Sequence, residues 1–199
     1  MTKHAELRLI LRRAFSDIIH TTNTIDETDF NNIPESGKWS VGEIIGHLVL
    51  STKTITKALT TPKPILESSF GKITRKEWSK DELTTNYNNA LSKGLKAPKT
   101  FTFIGAKEKG KEKILSLFNR ELDHLLDAMD KWNEHELTEY ALPHPALGKM
   151  SLKEMILFTE FHTKHHHVQI LNLLNQQGFY LVNYSVLMHL CVNIMVKRI

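Results

Sequence analysis

A chain of 199 residues is long enough for one domain with a full core and short for two. Its 41% hydrophobic and 24% charged residues argue against disorder, and a single cysteine, Cys191, excludes a disulfide framework and any multi-cysteine metal site, as suits a reducing cytoplasm. The net charge of +4 does not mark a nucleic-acid partner, because the basic residues alternate with acids, as in Lys107-Glu-Lys-Gly-Lys-Glu-Lys113.

Residues 3 to 22 place Leu7, Ile10, Leu11, Ala14, Ile18 and Ile19 at spacings of three and four, with Arg12, Arg13 and Asp17 opposite, which predicts an amphipathic first helix. Charges mixed into that apolar run mean that it does not read as a signal peptide. The polar stretch from Thr21 to Lys38, with Pro34 and Gly37, reads as a loop. Ser40-Val-Gly-Glu43 has the form of a capping box and opens a second helix, which carries Ile44, Ile45, Leu48, Val49, Ile55 and Leu59 as far as Pro62. Gly42 and Gly46 lie one turn apart on it, each costing roughly 1 kcal/mol relative to alanine, so a neighbouring helix is expected to approach closely there. His47 falls in the apolar run from Ile44 to Leu50, where a neutral or ligated imidazole fits better than an imidazolium. Taken alone, such a residue is more often a hydrogen-bonded core histidine than a ligand.

After a linker from Thr60 to Trp78, Ser79-Lys-Asp-Glu82 is a second capping box and opens a third, less amphipathic helix to about Leu95, ended by Pro98. The connection from Lys99 to Gly110 contains an apolar patch, Phe101 to Ile104, expected to pack under the bundle. The strongest periodic face follows from Ile114 to Trp132, with Glu121, Asp123, Asp127 and Asp130 opposite it, and predicts a core helix. The next connection holds His144 between Pro143 and Pro145. Ser151-Leu-Lys-Glu154 is a third capping box, and the helix that it opens runs to about Gln177, with Gly178 as its stop. No stretch alternates with period two long enough to build a sheet, and all six prolines fall in connections. The fold class is therefore all-α, a four-helix bundle with long crossover connections over residues 1–178. The tail 179–199 is apolar but broken by Asn183, Ser185, His189 and Asn193, so it reads as a helix on the bundle or in a dimer interface and not as a membrane span.

Four of the eleven histidines fall between Phe158 and Ile170. On a helix His162 and His166 share a face one turn apart, which lets two imidazoles reach one cation. His165 lies near that face and His167 well away from it, so the pairs 162/166 and 162/165 both stand, the first better placed. A solvated histidine-rich face without metal is the alternative. A third ligand has to come from elsewhere, and His47 on the second helix supplies it, giving three inward-facing imidazoles in the bundle core. Three neutral imidazoles suit Zn²⁺, Ni²⁺, Co²⁺ or Fe²⁺ better than Mg²⁺ or Ca²⁺ and leave a coordination position open.

Three motifs in order complete the pattern: Trp39-Ser-x-x-Glu opening a helix with Gly46-His-Leu48, then Pro145-x-Leu-Gly-x-x-Ser151, then His162-x-x-x-His-x-x-Gln-Ile170. Over about residues 3 to 178 this order resembles the DinB-like superfamily. The resemblance implies an up-down-down-up four-helix bundle, often a homodimer, with His47, His162 and His166 as ligands of a divalent metal, zinc or nickel foremost. It also implies a metal that activates a low-molecular-weight thiol, such as bacillithiol, mycothiol or glutathione, for S-transfer. Three functions are expected on this basis: a thiol S-transferase whose partners are a small thiol and an electrophile, a hydrolase with Glu160 or His165 as general base, and a non-catalytic, stress-associated metal-binding bundle. Neither nucleic acid nor membrane is expected as a partner.

Overall fold

The computed structural model describes residues 3–35, 37–94 and 96–176; the apolar tail 179–199, with Cys191, lies outside them. In chain order the elements are α1 (Lys3–Asn23), α2 (Glu27–Asn31), α3 (Val41–Thr60), α4 (Lys63–Phe70), α5 (Lys80–Ser92), α6 (Ala106–Lys109), α7 (Lys111–Met129), α8 (Glu134–Glu139), β1 (Ala141–His144), β2 (Gly148–Ser151) and α9 (Leu152–Gln176). The long helices α1, α3, α7 and α9 form a four-helix bundle. Around the bundle the order is α1, α7, α3, α9, so α1 and α3, consecutive in the bundle, lie across a diagonal and require the long connection between them.

The three serine capping boxes form as their spacing requires. Ser40 Oγ accepts from the Glu43 amide at 3.2 Å while Glu43 Oε2 accepts from the Ser40 amide at 2.8 Å. Ser79 with Glu82, and Ser151 with Glu154, make the same reciprocal pair. A fourth box, Asn133 with Glu136, opens α8. Inside the bundle Phe15 of α1 stacks on Phe118 of α7 at 4.3 Å between centroids. Leu11, Ile18, Ile45, Ile114, Leu125 and Leu126 belong to the same core, fully buried, each worth about 1.5–3 kcal/mol of transfer free energy.

Several expectations are corrected. Residues 141–151 form a two-stranded antiparallel hairpin, with Ala141 opposite Ser151 and His144 opposite Gly148. Strands of four residues, one of them containing Pro143, are too short to show an alternating pattern. The loops at 21–38 and 60–78 contain α2 and α4, and α5 ends at Ser92, short of Leu95. Glu121, expected on the solvated face of α7, is buried, with Arg120 and His124 each 3.8 Å from its carboxylate. Neighbouring helices do approach α3 at Gly42, where Phe30 of α2 and Ala106 of α6 pack against it, but at Gly46 the neighbour is a side chain from a connection. A Cβ on Gly42 would lie 2.8 Å from Phe30 of α2, and one on Gly46 only 2.1 Å from Phe103 in the α5–α6 connection.

Helix α9 is enclosed on several sides at once, which explains why its apolar periodicity is weak although its core residues are numerous. Near its start the buried Glu154 accepts two hydrogen bonds from Arg75, both at 2.7 Å, and one from the Trp78 amide. Glu160, fully buried, pairs with Lys80 of α5 at 2.8 Å and with Lys164 at 2.5 Å. His167 faces α1, with Nε2 2.7 Å from Thr21 Oγ1. No described helix is long and apolar enough to cross a membrane.

Candidate metal centre

His47 reaches inward from α3, and His162 and His166 from α9. Their ligand atoms all lie within 4.8 Å of one another, and all three residues are buried. His162 Nε2 is 3.3 Å from His47 Nε2 and 3.0 Å from His166 Nε2. Ligands at 2.0–2.1 Å around a tetrahedral zinc ion stand about 3.3–3.4 Å apart, close to these separations.

Neighbouring groups set the tautomers. His47 Nδ1 lies 2.9 Å from the Phe101 carbonyl oxygen. A carbonyl only accepts, so Nδ1 carries the proton and Nε2 is left with a bare lone pair. The apolar patch after α5 thus holds His47 in a ligating state, besides packing Phe103 against Gly46. On α9 the Gln169 amide has Oε1 2.8 Å from His166 Nδ1 and Nε2 2.9 Å from His165 Nε2. Its oxygen accepts the His166 proton and its nitrogen donates to His165, so His166 Nε2 is also bare. Two lone pairs then converge on a third imidazole in a dry space, an arrangement relieved only by a shared proton or a cation.

The surroundings keep these rings neutral. Burial lowers the pKa of His47, against the opposing pull of the Phe101 bond. Burial, then the nearby His166 and His47, hold His162 well below the usual histidine range, and burial pushes His166 down to about 3. Trp39 lies 5.1 Å from His47, and Phe158 stacks on His162 at 5.2 Å. Neutral imidazoles are what a transition metal takes, so the donor set fits such an ion.

Of the histidines singled out in the sequence, the structure brings together 47, 162 and 166. His165, its ring 5.3 Å from that of His166, is outside the converging set, beside Tyr87 and Phe161 and engaged by Gln169, so the 162/165 pairing is not formed. His167 is turned to α1. Glu160, expected as a possible general base, is held by Lys80 and Lys164 away from the three rings.

Two residues of the site carried no clear signal. Gln169 lies inside the last motif but had no assigned role. His144 was read only as part of a connection, yet its ring lies 4.5 Å from Phe158 and 6.4 Å from Tyr87, both of which line His162. Its Nδ1 accepts from the Ala146 and Leu147 amides, each at 3.1 Å, and burial pushes its pKa down to about 4.

Among solved structures the chain is similar to YfiT from Bacillus subtilis, described as a probable metal-dependent hydrolase with an unusual four-helix bundle topology. The TM-score is 0.58 at 13% identity, over 89% of this chain and 90% of YfiT, so the likeness is one of fold. No curated protein matches the sequence. A profile described as the DinB superfamily matches residues 10–170, a span that includes all three converging histidines, and the chain belongs to that superfamily.

Proposed function

We propose that the protein is a metal-dependent transferase that joins a low-molecular-weight thiol to an electrophile at His47, His162 and His166. The observation that carries the reading is the convergence of three Nε2 atoms with the protons of His47 and His166 fixed on the far nitrogens by Phe101 and Gln169. Three protein ligands leave one position for a substrate atom, and zinc or nickel suits an all-imidazole set. A bound divalent ion would supply Lewis acidity, favouring the thiolate of a substrate near neutral pH. Around it Trp39, Phe158 and Tyr87 limit water, which strengthens the nucleophile. The sulfur forms its new bond to carbon as the leaving group departs with the electron pair, and the thiol proton passes to solvent.

This chemistry needs no protein base, which is where it gains on hydrolysis. Among the described residues the two candidates for activating water are already engaged: Glu160 by two lysines, and the lone pair of His165 by Gln169. The metal-dependent hydrolase description of YfiT belongs to that protein; here it supports only a metal role at the bundle core.

The test is conjugation of bacillithiol, mycothiol, glutathione or cysteine to an aryl halide by zinc- or nickel-loaded protein. Acceleration is expected, greatest below the free thiol's pKa of about 8.5, lost with a chelator and in His162→Ala or His166→Ala, and unchanged in Cys191→Ser. No acceleration with any of the four thiols leaves a non-catalytic metal-binding bundle as the reading.

A further inference from the structure

One polar group beside the three histidines has no partner among the described residues and no part in the reading above: the Nε2–H of His144. Its tautomer follows from the hairpin turn. Backbone amides only donate, and two of them, from Ala146 and Leu147, donate to Nδ1. Nδ1 therefore holds the lone pair, and the proton of the neutral ring sits on Nε2. Pro143 and Pro145 on either side fix two backbone φ angles and stiffen the mount.

Nε2 lies on the ring edge away from the turn. The ring's aromatic neighbours are Phe158 and Tyr87, which are also neighbours of His162, and a charge on His144 would be felt at His162. Donor and candidate metal centre therefore share two aromatic neighbours, while His144 itself is only partly buried. His144 is not a general base, because its lone pair is taken by two amides. For the same reason it is not a fourth ligand through Nδ1, and it stands outside the converging set. What remains is a fixed, uncharged donor.

Resting on the transfer reading, we infer that the Nε2–H of His144 binds an oxygen acceptor on the ligand whose sulfur lies at the three histidines. The substrate thiol is then one that carries a carboxylate or carbonyl oxygen a few bonds from its sulfur. An alkyl thiol without that oxygen reaches the histidines but loses the second point of attachment.

Cobalt-loaded protein, titrated with mercaptoacetate, ethanethiol and acetate and followed by d–d absorption, tests this in the wild type, His144→Phe and His144→Gln. Phenylalanine keeps the ring against Phe158 and removes the donor, whereas glutamine restores an N–H. A hydrogen bond to a charged group predicts a roughly 10- to 100-fold loss of mercaptoacetate affinity in His144→Phe, recovered in His144→Gln, with ethanethiol unchanged. Equal losses for the two thiols, or none for mercaptoacetate, overturn the assignment. If neither thiol perturbs the wild-type spectrum, the transfer reading falls and acetate decides for His144. Acetate affinity must then drop in His144→Phe and return in His144→Gln; acetate that ignores the substitution, or does not bind, overturns the assignment. Nitrogen-15 shifts of the His144 ring in metal-free wild type give a readout that needs no variant. They must show Nε2 protonated, and a ring protonated on Nδ1 refutes the inference.

Discussion

Gly46→Ala links packing to the metal centre through one contact. An alanine Cβ would lie 2.1 Å from Phe103 Cγ, 2.2 Å from Cδ1 and 2.6 Å from Cβ. Carbon atoms in good contact stand about 3.5 Å apart, so Phe103 must withdraw by more than 1 Å. Because its own Cβ is among the clashing atoms, turning the ring brings no relief and the backbone at 103 has to move. Overpacking of this kind costs about 1–3 kcal/mol and alanine returns about 1 kcal/mol of helix propensity, for a net loss of up to about 2 kcal/mol. In a chain of this size that lowers Tm by up to about 8 °C. Two residues upstream, the Phe101 carbonyl that holds the proton of His47 is dragged along. Losing such an orienting partner lowers metal affinity by about 10- to 100-fold. Thermal unfolding by circular dichroism in excess chelator reads the first effect, and competition with a chromogenic zinc chelator reads the second. A Gly46→Ala protein at least as stable as wild type, with unchanged affinity, would refute the link between Phe103 packing and the state of His47.

Alanine at position 47, 162 or 166 is expected to lower metal content sharply after dialysis, measured by elemental analysis; full metal in His47→Ala removes that residue from the site. His167→Ala should keep its metal and lose about 1–3 kcal/mol, because Thr21 Oγ1 is left buried without its partner, so metal loss equal to that of the other three would show a misassigned face. Burial holds His144 and His166 neutral down to about 4 and about 3 in the folded metal-free protein. The unfolded chain binds those protons near pH 6.5, so between these values it is the unfolded state that carries more protons. Metal-free stability is thus greatest above a pH of about 6.5 and falls as pH drops towards 3; urea midpoints that stay flat from about pH 7 to 4.5 would contradict this.

The bundle was legible because α1, α3 and α7 show a helical period and two of its helices, α3 and α9, open on a serine–glutamate pair, as α5 outside it also does. Elements too short to show a period were missed. Helices α2, α4, α6 and α8 have too few turns to show a period, and the hairpin has four residues a side. Glu121 was misplaced because charge was taken as exposure, while the structure buries it beside Arg120 and His124. At the site, i,i+4 spacing was enough to pair His162 with His166, and the apolar run around His47 suggested a ring held neutral. The Phe101 carbonyl was invisible, since a backbone acceptor leaves no trace in residue type. His144 was passed over because its role rests on two main-chain amides in a turn whose shape no local pattern announced.

Between Glu160 and His167, α9 is bound in three directions at once: to α5 through Lys80, to α3 through the histidine centre, and to α1 through Thr21. A residue added or removed in this stretch turns everything beyond it by about 100° and shifts it by about 1.5 Å. Such a change would aim His162 and His166 away from His47 and break the contact with Thr21. Adding a whole turn nearly restores the angle, but it slides the rings by several ångströms along the axis. The stretch can therefore exchange side chains but cannot change length. Insertions and deletions have room around Gly37 and Gly94, where even an added Cβ would meet nothing within 4 Å.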